Sequence, residues 1–245
     1  MKAHYKRYVL KFRCPGVTSR GVLREKETWF LFLTDGNKTG VGECGLFRGL
    51  SSEDQPDYED QLKFLCQRIN QNEMLSVESL QYFPSIQMGY ETALLSLKSE
   101  DPFQLFPSPF TRGVDKIPIN GLVWMGDRSY MKAQIEEKIA QGFDCIKLKI
   151  GALDFNEEYS LLEEIRNNYS TEKIMLRVDA NGAFALEGVM DKLQSLSNLE
   201  IHSIEQPIAS GQAEAMRELC INSPIPIALD EELIGSLKKK KELLC

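Results

Sequence analysis

Two lysines one residue apart, Lys147-Leu148-Lys149, and three carboxylates, Asp179, Glu205 and Asp230, have types and spacings that could do chemistry together. Each charge sits at the C-terminal side of an apolar run: Asp144–Ile150, Lys173–Asp179, Ile201–Glu205 and Pro224–Asp230. Counted from Lys149, the intervals are 30, 26 and 25 residues, each the length of one βα unit. If the runs are neighbouring parallel strands, Lys149, Asp179, Glu205 and Asp230 open onto one end of a single sheet. Charges inside strands are rarely fully buried without a partner or a metal. Three carboxylates at one end repel one another and call for a cation. Oxygen donors without histidine or cysteine suit Mg²⁺, with Mn²⁺ as a substitute. Such an ion keeps positions for a substrate carboxylate and stabilises negative charge developing on it. Lys147 and Lys149, two residues apart, face the same side of their strand. Each cation makes it harder for the other to hold its proton, which moves a lysine toward general-base duty near neutral pH. A base beside a carboxylate-bound metal is equipped to remove a proton α to a carboxylate. The same residues also have a plainer interpretation. A lone Asp or Lys at a strand end commonly caps or faces water, and Ile-Lys-Leu-Lys reads equally as an edge strand with its lysines outward.

The elements that must position these side chains follow from periodicity. After residue 115 the chain alternates strand and helix. Strands are predicted at 117–123, 144–150, 173–179, 201–205 and 225–230. Helices are predicted at 129–141, 156–168, 185–196 and 210–219, with a further one over 231–244. Met131, Ile135 and Ile139 share one face of the first, and Gly142 stops it. Repeated βα units imply parallel strands covered by helices, as a doubly wound sheet or an eight-stranded barrel. The first strand precedes no glycine-rich loop, so nucleotide-binding readings are weak.

Residues 1–115 have another rhythm. Strands are predicted at 4–12 and 28–34, with a loop over 14–27 between them. A turn at Asp35–Thr39 leads to an extended Gly40–Glu43, completing a hairpin. Ser52 is expected to cap a helix through Tyr58, Leu62 and Leu65, and a second helix covers Ile86–Leu97. Three prolines in residues 101–112 end the unit. Two domains are therefore expected, an α+β unit at 1–115 and a βα unit at 116–245.

Composition narrows the partners. The chain has 29 Lys plus Arg against 36 Asp plus Glu, a net charge of −7. That disfavours nucleic acid and anionic membranes, though not a small anionic substrate in a locally positive pocket. No apolar run reaches transmembrane length, and the N-terminus lacks the apolar core of a secretory signal. Six scattered cysteines without a CxxC pair read as reduced thiols, and His4 and His202 have no zinc-site partners. A cytoplasmic location is expected.

The ordered set Lys147-Leu148-Lys149, Asp179-Ala180-Asn181-Gly182, Glu205-Gln206-Pro207 and Asp230-Glu231 resembles the enolase superfamily, in its branch with a lysine-x-lysine strand. The resemblance covers nearly the whole chain. It implies an α/β fold in which an α+β capping domain precedes a (β/α) TIM-type barrel. The 14–25 loop and Gly42-Glu43-Cys44-Gly45 match the capping domain. The stretch Pro118–Gly126 is similar to members that dehydrate a cyclohexadiene carboxylate in menaquinone biosynthesis. Asp179, Glu205 and Asp230 are then implied as Mg²⁺ ligands, and Lys149 as the base that afterwards assists departure of the hydroxyl. Lys147 is implied as electrostatic support that holds the substrate carboxylate. Asn181 supports the metal shell or the substrate. Ser19 and Arg20 approach the succinyl tail, or lie on an ordinary solvated loop. Homo-oligomerisation is compatible with this picture. A dipeptide epimerase, a muconate-type cycloisomerase and a non-catalytic homologue remain as alternatives.

The chain departs from that pattern in length. An eight-stranded barrel takes about 250 residues, whereas about 130 follow the split and five strands are counted. The superfamily's further lysine on a sixth strand has no counterpart, and Ser236–Cys245 is a lysine-rich tail. The expectation is an incomplete barrel belonging to a longer product. In isolation such a chain would have low stability and little activity.

Overall fold

The computed structural model describes residues 1–18, 21–73 and 75–234. The chain forms two compact units, Met1–Ile117 and one beginning at Pro118.

In the first unit β1 (Lys2–Thr18), β2 (Gly21–Asp35) and β3 (Lys38–Cys44) form an antiparallel sheet in chain order. The ladder between β1 and β2 runs past the expected strand ends. Its register shifts between Lys11 and Gly16, then resumes from Gly16↔Leu23 to Thr18↔Gly21. Much of the expected 14–27 loop is therefore paired strand. Pro15 lies in the irregular stretch, where its missing N–H costs no ladder bond. Gly36 takes the positive φ (56°) needed by the two-residue turn into β3.

The helices α1 (Tyr58–Asn70) and α2 (Pro84–Lys98) share a core with this sheet. Trp29, Leu31 and Leu33, on alternate positions of β2, pack in one cluster with Leu62, Leu65, Ile86 and Tyr90. Burial of each such side chain contributes about 1.5–3 kcal/mol. Ser52 does not cap α1. Its hydroxyl turns to Glu53, and the helix starts at Tyr58 after Asp57, whose side chain makes no cap bond. A Cβ on Gly42 of β3 would lie 1.8 Å from the Gly89 carbonyl oxygen, so α2 meets the strand backbone to backbone.

The second unit is a five-stranded parallel sheet in chain order: β4 (Gly121–Val123), β5 (Cys145–Lys149), β6 (Met175–Asp179), β7 (Ser203–Glu205) and β8 (Ile227–Ala228). Between them run α3 (Arg128–Ala140), α4 (Phe155–Asn168), α5 (Val189–Ser197) and α6 (Ala213–Asn222). Asp127 and Asp154 cap α3 and α4 by accepting from Tyr130 N and Asn156 N, each at 2.9 Å. Gly142 (φ 85°) ends α3, as expected. The strands are shorter than their apolar runs. Of the helix expected over 231–244, Glu231–Leu233 is a single 3₁₀ turn and residues 235–244 lie outside the described set.

The two sides of this sheet differ in kind. Ile146, Leu148, Leu176, Val178 and Ile204 are buried in one cluster with Met131 and Ile135 of α3, Leu161 and Leu162 of α4, Leu193 of α5 and Met216 of α6. The alternate positions Lys147, Lys149, Arg177, Asp179, Ser203 and Glu205 lie on the opposite side. Five strands of the usual eight of a TIM-type barrel are thus present among the described residues, after an α+β N-terminal unit. No helix among them is long and apolar enough to cross a membrane.

Candidate active site

Parallel register assembles the site. Lys149 pairs with Asp179 across β5 and β6, and Asp179 pairs with Glu205 across β6 and β7. Three adjacent strands, about 4.8 Å apart, thus end in a row of lysine, aspartate and glutamate. Glu205 pairs with Ala228, and Asp230 follows two residues beyond that last ladder pair.

The side chains meet in one network. Lys147 Nζ bridges Asp179 Oδ2 at 3.1 Å and Glu205 Oε2 at 2.5 Å. Lys149 Nζ reaches the same Asp179 Oδ2 at 3.1 Å and donates to Asn181 Oδ1 at 2.7 Å. The Asp179 side chain is only 2 % exposed, so this carboxylate is compensated by two ammonium groups in a poorly solvated place. Lys149 Nζ also stands 5.8 Å from the Trp124 ring centroid. Asn181 (φ 44°) begins a tight turn after β6 in which its N–H donates to Asp179 Oδ1 at 3.1 Å. Its Nδ2 donates to Glu231 Oε1 at 3.1 Å. The amide is therefore engaged at both ends.

Burial first, then the charges of Glu231, Glu205 and Asp179, raise the Asp230 carboxyl above its ordinary range. Glu231 Oε2 is buried without a hydrogen-bond partner. Four carboxylates thus stand against two ammonium groups. With no divalent ion among these carboxylates, the Lys147 ammonium is held above its ordinary range. Burial pulls it down, but the hydrogen bond to Glu205 and the charge of Asp179 outweigh burial.

Of the expected residues, Lys147, Lys149, Asp179, Glu205 and Asn181 are joined by direct contacts, and Asp230 by charge. Among the described residues, no three ligand side chains converge closely enough to hold an ion as they stand. Ser19 and Arg20 lie outside the described residues. Three supporting residues were not singled out from the sequence. Glu158 is buried and accepts from Gly151 N (2.8 Å), Ala152 N and Leu153 N (both 3.1 Å), fixing the loop after β5. Glu231 holds Asn181, and Gln206 ties the turns after β7 and β8 together. The dipeptides Glu205-Gln206 and Asp230-Glu231 were the available signals, but which neighbour of a strand-end acid turns inward depends on backbone geometry.

Comparison with known proteins agrees with this geometry. Residues 130–244 match the family described as enolase C-terminal domain-like. The o-succinylbenzoate synthase of Desulfotalea psychrophila is 41% identical over 266 aligned residues, covering 96% of this chain and 72% of that protein. The crystal structure of MenC from Desulfotalea psychrophila superposes with a TM-score of 0.86 at 36% identity, over 100% of this chain and 75% of that one. An o-succinylbenzoate synthase from Thermosynechococcus elongatus, solved with Mg in its active site, has the same fold, with a TM-score of 0.79 at 22% identity. It aligns over 99% of this chain and 73% of that one. A helix-covered parallel sheet with lysine and carboxylates at its strand ends, matched in these ways, makes the chain a member of the enolase superfamily. Within that superfamily it is related to the o-succinylbenzoate synthases.

Proposed function

We propose that these residues serve, in an intact-length barrel, the o-succinylbenzoate synthase reaction of menaquinone biosynthesis. In it, 2-succinyl-6-hydroxy-2,4-cyclohexadiene-1-carboxylate loses water to give 2-succinylbenzoate. The observation carrying this reading is the row Lys149, Asp179, Glu205 on three adjacent strands, in a chain 41% identical to such an enzyme.

The donor set fits Mg²⁺. Asp179, Glu205 and Asp230 offer hard oxygens, and Asp230, raised first by burial and then by neighbouring carboxylates, is in surroundings a divalent ion would relieve. When bound, the ion supplies positive charge toward the substrate carboxylate, where negative charge collects as the α-proton leaves. Lys149 Nζ takes that proton from the ring carbon bearing the carboxylate. The electron pair moves into the ring, the C–O bond at the neighbouring carbon breaks, and the Lys149 ammonium returns the proton to the departing hydroxide as water. The ring becomes aromatic, which favours the second step without a further acid. Asn181 keeps the Lys149 amine directed. Lys147 provides a fixed positive charge for the substrate carboxylate. The scattered thiols and small anionic substrate fit a cytoplasmic setting.

Epimerisation is the competing chemistry. It requires an acid and a base on opposite faces of the substrate. Among the described residues both lysines of the site come from the same side of β5. A one-base elimination makes no such demand, and deuterium exchange separates the two.

The test is appearance of the aromatic chromophore when the intact-length protein, Mg²⁺ and substrate are mixed, run beside deuterium uptake into L-Ala-L-Glu in D₂O. Dehydration without dipeptide exchange is expected. Dipeptide exchange without dehydration would overturn the assignment.

A further inference from the structure

We propose that Gln206 is the positioning residue that fixes Asp230 relative to Glu205, and that it thereby sets the affinity of the site for a divalent cation. The inference rests on the metal-site reading given above. It begins from a shortage of sheet. Strand β8 pairs with β7 at two positions only, Ile204↔Ile227 and Glu205↔Ala228. Asp230 lies past the last pair, so the ladder does not hold its backbone.

Gln206 supplies what the ladder lacks. It is adjacent in sequence to Glu205, is fully buried, and has a left-handed backbone (φ 41°). Its own N–H donates to Ala228 O at 2.9 Å, continuing the ladder by one bond. Its Oε1 then accepts from Asp230 N and from Glu232 N, both at 3.2 Å. Its Nε2 donates to Ile208 O at 3.0 Å and to Glu232 Oε2 at 3.3 Å. Glu232 Oε1 in turn accepts from Gly211 N at 3.2 Å. Two acceptor positions and two donor hydrogens are all used, the full capacity of an amide. No residue other than Gln or Asn offers that inventory, and Asn is a methylene shorter. One buried side chain therefore ties the residue after one proposed ligand to the main chain of another. Metal affinity is sensitive to small ligand displacements, and residues that orient ligands typically change it about 10–100-fold when removed.

The test is calorimetric titration of Mg²⁺ into the full chain and four variants, with far-UV circular dichroism and melting recorded for each. D230A reports on the site itself. Q206L removes the amide. Q206E keeps the acceptor but sets a carboxylate against Glu232. Q206E/E232Q restores a donor at that contact. The expected pattern is about tenfold or greater weakening in D230A, Q206L and Q206E, with parent-like spectra, and recovery to within about threefold of the parent in Q206E/E232Q. Parent affinity in folded Q206L, alongside loss in D230A, overturns the role of Gln206 while leaving the site in place. That result with a lowered melting temperature marks a purely structural amide. Unchanged affinity in D230A overturns the metal-site reading, and this inference with it. If Q206L does not fold, Q206E and the double variant decide: no recovery in the double variant counts against the proposal.

Discussion

Lys149 Nζ donates to Asn181 Oδ1 at 2.7 Å, from the end of one parallel strand to the first turn residue after the next. Because Asn181 Nδ2 is held by Glu231 Oε1 at 3.1 Å, the amide presents its oxygen, never its nitrogen, to the lysine. The proposed base is thereby directed by a group that cannot take its proton. Replacing this bond, worth about 1.5–3 kcal/mol for a charged donor, should lower turnover by about 10–100-fold in N181A. The effect is expected in kcat with little change in KM, measured by steady-state dehydration kinetics. A change confined to KM would assign Asn181 to substrate binding instead.

Lys147 bridges Asp179 and Glu205 with its ammonium group, so it competes with a divalent ion for the same oxygens. In K147A the chain without metal should melt lower than the parent, since removing one partner leaves buried negative charge less compensated. Added Mg²⁺ should then raise the melting temperature more in K147A than in the parent, following mass-action linkage. Equal shifts in both proteins would show that lysine and metal use different oxygens.

The N-terminal unit offers a test of packing alone. An added methyl at Gly42 would meet the Gly89 carbonyl oxygen at 1.8 Å, with no flexible side chain able to yield. G42A should cost about 1–3 kcal/mol or more in denaturant unfolding through overpacking. A midpoint unchanged from the parent would contradict the close approach of α2 to β3.

Acid sensitivity should appear at Glu43. The hydrogen bond from the Thr28 hydroxyl, at 2.8 Å, is the leading cause holding this carboxyl below its ordinary range, with Lys26 assisting. A depressed carboxyl contributes stability that is present above its unfolded pKa and lost as pH falls through the folded one. The loss of stability in T28V should therefore be constant above about pH 5 and shrink below about pH 4. The remainder, independent of pH, comes from the shorter-range surroundings of buried Thr28, whose single hydroxyl hydrogen is shared between Glu43 and the more distant Cys44 O at 3.2 Å. Melting curves across pH 3–7 provide the check, and a deficit that grows on acidification has the wrong sign.

Much of this architecture was legible because parallel strands speak through position. One apolar run per βα unit placed the strand ends, and the register then set Lys149, Asp179 and Glu205 side by side without further information. The β1–β2 ladder was harder to see. Pro15 and Gly16 read as a loop, yet a shifted register lets the strands continue through them. Ser52 has the right chemistry for a cap but stands a turn too early for α1. The roles of Gln206, Glu231 and Glu158 were hidden for a common reason. Each lies beside a strand or at a helix start, where composition alone suggests a solvated residue. Inward rotation comes from local backbone geometry, such as the left-handed φ of Gln206 and Asn181. The ion pairs of Lys147 were not legible because its counter-charges come from two other strands.

The central claim is that Lys149 removes the α-proton in a site shared with Asp179, Glu205 and Asp230. Dehydration of substrate carrying deuterium at the α-carbon tests it most directly, in the parent chain and in K149A. The parent should turn over the deuterated substrate several-fold more slowly than the protiated one, and K149A should yield no detectable product while keeping the parent's far-UV spectrum and a cooperative melt. Product formed by K149A at a rate within about tenfold of the parent, a deficit of only about 1.4 kcal/mol in the barrel's chemistry, would contradict the account.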